Sequence, residues 1–166
     1  MFPRLLAFLC VLCLLQTSLA QQSGTTERAV PETCPVTKPA DHPFVPPRPY
    51  QAQAADSPVF WFGTDSFWTL LPSNATWSQG EKTFWFSQDW QRYHWVPERE
   101  AKLTVTARRL DDAAPPPEVL RANSSYREQD WKAFLVGGIN FPTVGCWEIT
   151  GRHDDHELTF VVWVTN

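Results

Sequence analysis

The chain has 166 residues, 43% of them hydrophobic and 14% aromatic, with a formal charge of −4. That is enough apolar matter to bury one core and too little length for two full domains. The acidic balance and the lack of any basic run argue against nucleic acid or an anionic membrane surface as partner, since both need a positive face.

Residues 1–20 read as an export signal. Arg4 supplies the charge, "LLAFLCVLCLL" the apolar run, and Ser18-Leu19-Ala20 the small residues of a cleavage site. The run of 11 residues is shorter than the roughly 20 needed to span a bilayer, so no membrane insertion is expected after cleavage. Cys10 and Cys13 lie inside the run and leave with it. The mature chain would begin at Gln21 with 13 basic and 18 acidic side chains, hence a formal charge of −5. It would keep only Cys34 and Cys146, and in an exported protein an even count favours a disulfide between them.

Residues 21–33 are small and polar without periodicity, which predicts disorder. Residues 34–57 form a proline-rich segment, with eight prolines between Pro31 and Pro58. Such a segment cannot supply ladder donors regularly and should run extended over a surface, as a strap. Residues 58–166 carry seven short β-branched and aromatic runs separated by turn residues: "VFWFG", "SFWTLL", "TFWFS", "KLTVTARRL", "WKAFLVGG", "GCWEITGR" and "ELTFVVWV". Their spacing, with no stretch at helical period, predicts an all-β fold, an immunoglobulin-like antiparallel β-sandwich carrying an extended proline-rich N-terminal strap. "DDAAPPPEVL" reads as a loop ending in one helical turn.

The last two runs admit a register test. A hairpin centred between Asp154 and Asp155 opposes Trp147 to Val162, Ile149 to Phe160 and Gly151 to Leu158 on one apolar face. The other face then pairs Cys146 with Trp163, Glu148 with Val161, Thr150 with Thr159 and Arg152 with Glu157. A half-apolar outer face needs a cover. A Cys34 to Cys146 bridge would draw the strap across it, with Phe44 or Val45 as covering side chains.

The order "CPVT…HPFVPPRPY", "FWFGTDSFWTLLP", "LTVTARRLD", "FPTVGCWEITGR…ELTFVVWV" resembles a group of uncharacterised small secreted bacterial proteins of acidobacterial type, and the ending is similar to the closing hairpin of exported immunoglobulin-like domains. The resemblance spans nearly all of the mature chain and implies a fold and a secreted or periplasmic location. It implies no activity. Its bacterial character also argues against glycans at the sequons beginning at Asn74 and Asn123, which need a eukaryotic secretory pathway.

Candidate chemistry is sparse. In the hairpin register His153 and His156 oppose each other with β-carbons about 4.5–5.5 Å apart, close enough to share a metal ion. Two imidazoles are only two ligands, so a solvated turn is the competing reading, with Arg152 and Glu157 as an exposed ion pair. No nucleophile elbow, zinc-protease helix, dinucleotide or phosphate loop occurs, and no cofactor is expected. The aromatic residues point to binding. In "TFWFSQDWQRYHW", Trp90, Tyr93 and Trp95 lie among polar residues in an expected loop and suit sugar rings or peptide side chains. Each "FWF" presents aromatic surface on both faces of its strand, so one face should be core and the other covered or used. The reading is an exported, non-enzymatic binding or structural module for a carbohydrate or protein at the cell surface; the alternative is a small secreted hydrolase or metal-binding protein.

Overall fold

The computed structural model describes residues 29–88, 102–127 and 132–166. Among them run nine strands: β1 Val59–Gly63, β2 Phe67–Pro72, β3 Thr76–Ser78, β4 Gly80–Ser87, β5 Leu103–Arg109, β6 Glu118–Arg127, β7 Lys132–Asn140, β8 Gly145–His153 and β9 His156–Thr165. They form a five-stranded sheet in the order β1-β2-β4-β7-β6 and a four-stranded sheet in the order β3-β9-β8-β5. Pairing is antiparallel except between β3 and β9. The result is an all-β sandwich.

Alternation builds its core. Phe67, Trp85, Leu135 and Ile139 from one sheet meet Trp147, Ile149, Phe160 and Val162 from the other, each buried. Large side chains of this kind contribute roughly 1.5–3 kcal/mol each when fully buried. Trp85 has no exposed surface, and its polar atom is satisfied. Its Nε1 donates to Thr83 Oγ1 at 2.8 Å, and that hydroxyl donates to Gly137 O at 3.1 Å. A buried N–H left without an acceptor would cost about 1–3 kcal/mol.

The closing hairpin has the register that its alternation predicts, from Cys146 opposite Trp163 through Arg152 opposite Glu157 to His153 opposite His156. Two strands depart from the sequence reading. "DDAAPPPEVL" does not end in a helical turn; Glu118 opens β6, which pairs with β7 through a register shift between Leu120 and Asn123. "EVLRANSSYR" lacks an alternating apolar face because it is an edge strand, and only its neighbour selects the extended form. β3 has three residues, too few to show a period. It is a strand because Trp163 N–H donates to Ala75 O and Thr76 aligns with Trp163.

The strap joins the two outer faces of the sandwich. It starts on the four-stranded sheet, where Cys34 is bonded to Cys146 with Cα atoms 5.6 Å apart. Thr37 then caps the edge of β9: its N–H donates to Val161 O and its Oγ1 accepts from Val161 N–H, both at 2.9 Å. This is the edge that β3 occupies further along. Beyond it, Phe44 and Tyr50 pack on the outer face of the five-stranded sheet.

Candidate functional site

On the outer face of the four-stranded sheet, Cys34, Cys146 and Trp163 form a buried cluster flanked by Val30, Val36, Leu110 and Val161. The half-apolar face of the hairpin is therefore covered by the strap, but by other side chains than Phe44 or Val45. Val30 and Val36, the neighbours of Cys34, do the covering, because a disulfide fixes the residues closest to it. Val45 is 46% exposed. The cover begins at Val30, inside the stretch 21–33 for which composition predicts disorder. A bridge spanning 112 residues contributes up to about 4–5 kcal/mol in the chain-entropy model.

A polar brace locks the strand that carries Cys146. Arg109 Nε donates to Asp111 Oδ1 at 2.7 Å and Arg109 Nη1 to Thr143 Oγ1 at 3.2 Å. The Arg109 hydrogen bond, helped by one from the Cys146 backbone N–H, holds the Asp111 carboxyl below its ordinary pKa. Leu110 N–H also donates to Cys146 O. The guanidinium lies over Gly145, where a β-carbon would come within 2.6 Å of Arg109 Nε and where φ is +144°. Only glycine suits that position.

The second site is an aromatic cage on the outer face of the five-stranded sheet. Tyr50 stands edge-on to Trp61, Trp68 and Phe86, with ring centroids 5.4, 5.5 and 5.4 Å away. Trp68 and Phe86 stack at 6.1 Å, and Phe44 and Leu70 close the sides. Trp61 Nε1 donates to Gln51 O at 2.9 Å, pinning the strap just past Tyr50. Burial pushes the Tyr50 phenol well above its ordinary pKa. Among the described residues, Trp68 Nε1 and Ser87 Oγ are buried with no hydrogen-bond partner.

Each "FWF" is thus divided between core and cage. Phe60 and Trp85 face the core, while Trp61 and Phe86 face the strap. The cage was partly legible, since alternation requires a cover for those outward rings. The occupant was not, because nothing local in "HPFVPPRPY" says which sheet Tyr50 will reach.

The histidine pair sits at the tip of the closing hairpin. Alternation continues Trp147, Ile149 and Gly151 inward to His153, which is 1% exposed and lies 6.1 Å from the Phe67 ring. Its Nε2 is 3.6 Å from Asp154 Oδ2. The tip is therefore not wholly solvated. Asp154 turns the chain with φ +50°, and Arg152 pairs with Glu157 across the strands. Among the described residues, no group of three or more His, Cys, Asp or Glu side chains is placed to hold a metal ion.

Trp90, Tyr93 and Trp95, the expected binding loop, lie outside the described residues. The six tryptophans within them, Trp61, Trp68, Trp77, Trp85, Trp147 and Trp163, are all buried, so they serve the core and the strap. Exposed apolar surface occurs instead at Phe84 (39%), Val119 (37%) and Leu120 (48%). Phe84 and Leu120 face outward on the five-stranded sheet, with Leu120 lying over Gly138. Among the described residues, no helix is long and apolar enough to cross a membrane.

No protein-family model matches this chain, and neither the curated proteins nor the solved structures compared with it give a match.

Proposed function

We propose that the protein is an exported binding or structural module of the cell envelope or extracellular space, acting without catalysis on a carbohydrate or protein ligand. The observation that carries this reading is the disulfide-clamped strap. A buried disulfide is durable in an oxidising compartment, in keeping with the signal-like N-terminus, and a strap anchored on both outer faces makes a rigid platform. The immunoglobulin-like relation rests on the closing hairpin and its sequence.

The ligand surface is the part of the five-stranded sheet that the strap leaves open, centred on Phe84 and Leu120. Exposed apolar side chains that lie together mark interaction sites, and Trp90, Tyr93 and Trp95 follow Phe84 closely in the sequence. The test is retention of cell-surface proteins and of a polysaccharide panel by the immobilised mature protein. Phe84→Ser with Leu120→Ser, and separately Trp90→Ala with Trp95→Ala, should lower retention while leaving the melting temperature unchanged. Retention no better than that of an unrelated sandwich protein would overturn the reading, as would hydrolysis of panel members by the purified protein.

A further inference from the structure

We propose that the aromatic cage is a docking site for a proline-rich segment with aromatic anchors, and that a second copy of this chain can fill it, giving a strap-exchanged dimer closed by two Cys34–Cys146 bonds. The proposal stands apart from the ligand surface at Phe84 and Leu120, because it concerns the covered half of the sheet.

The strap is attached to the body like a bound peptide. Its anchors are side chains: Val30 and Val36 on Trp163 and Val161, and Phe44 and Tyr50 in the cage. Among the described residues, its backbone is tied to the strands chiefly at Thr37 on β9 and at Gln51 O under Trp61 Nε1. Prolines at 43, 46, 47 and 49 keep the segment extended and reduce the entropy lost when it docks. None of these contacts depends on the strap and the cage belonging to the same molecule.

The connection to the body permits exchange. Between the Gln51 anchor and β1, residues Gln51 to Asp56 are exposed, held by a turn in which Ser57 N–H donates to Ala54 O at 3.0 Å. Opening that turn lets residues 51–58 extend roughly 25 Å, about the width of a small domain. The strap can then cross to a neighbour, and the exchange is reciprocal with two-fold symmetry. Within one molecule a short tether gives an effective concentration on the order of millimolar, so the monomer dominates in dilute solution. Before oxidation the choice is reversible; the disulfide traps it. Each bond forms when two thiols release two protons and two electrons to a small disulfide such as oxidised glutathione, which leaves as two thiols.

The test uses the reduced, unfolded mature protein refolded with oxidised glutathione. Cys34→Ser and Cys146→Ser chains, mixed in equal amounts, cannot form an internal bridge. They should yield a heterodimer in which peptide mapping finds Cys34 of one chain joined to Cys146 of the other. Adding Phe44→Ser and Tyr50→Ser to the chain that carries Cys34 should lower that yield at least about tenfold, because the donated strap loses its anchors. For the wild type, refolding at about 5 µM and about 500 µM should raise the ratio of linked dimer to monomer roughly in proportion to concentration. The proposal fails if the mixture gives no such heterodimer while the wild type forms its internal bridge. An anchor-independent yield, or a wild-type ratio that does not rise with concentration, overturns it equally.

Discussion

Gly151 on β8 lies flat against the indole of Trp85 on β4, so that a β-carbon at position 151 would fall 2.8 Å from Cε3 and nearer still to Cζ3 and Cη2. At this point of the interface one sheet contributes a tryptophan and the other contributes no side chain. Gly151→Ala should destabilise the fold by about 1–3 kcal/mol, the usual cost of overpacking, read as a lower denaturation midpoint at unchanged slope. Trp85→Leu should recover part of that loss in the double variant, because the two changes share one space. Additive effects would show that the sheets can separate there without strain.

The Arg109–Asp111 brace makes an acid-side prediction. Asp111 has a folded pKa below that of the unfolded chain. The ionised brace thus adds its full stabilisation above about pH 4, the ordinary carboxylate value, and loses it as pH falls through the lower folded value. Asp111→Asn should lower stability at neutral pH and flatten the acid limb of the stability profile. Denaturation midpoints between about pH 2 and pH 7 check this; parallel profiles for the variant and the parent would contradict it.

Tyr50 makes the alkaline counterpart. Burial raises its pKa above the unfolded value, so its contribution is intact below about pH 10 and declines as pH rises above that point, where only the unfolded chain ionises readily. Tyr50→Phe should weaken the pH dependence of stability above about pH 10. Equal alkaline limbs for variant and parent would mean that the phenol is not held neutral by the cage.

Trp68 and Trp85 are both about fully buried but differ in their indole N–H. Trp85 Nε1 donates to Thr83 Oγ1, whereas Trp68 Nε1 has no partner among the described residues. Replacing Trp85 by Phe removes a satisfied hydrogen bond; replacing Trp68 by Phe removes a buried donor that is a liability. Trp68→Phe should therefore cost less than Trp85→Phe by about 1–2 kcal/mol, measured by urea denaturation. The reverse order would show that ring stacking on Phe86 outweighs the polar term.

The amino-acid sequence alone is enough to read the sandwich, the hairpin register and the disulfide. Alternation of period two is local, so Trp147, Ile149 and Gly151 declare their face whatever the rest of the chain does, and with two cysteines outside the signal-like N-terminus only one internal pairing between them is open. It determined also that "FWF" needs two partners. The tertiary structure alone decided what those partners are. The strap runs from Cys34, where Val30 and Val36 cover Trp163, past Thr37 on β9 to the opposite sheet, where Tyr50 fills the cage. β6 and β3 are strands because a neighbour's edge offers hydrogen bonds, and His153 is buried because the sheets close over the hairpin tip. Each of these outcomes depends on groups far apart in the chain, and local residue patterns carry no record of which distant surface a segment will meet.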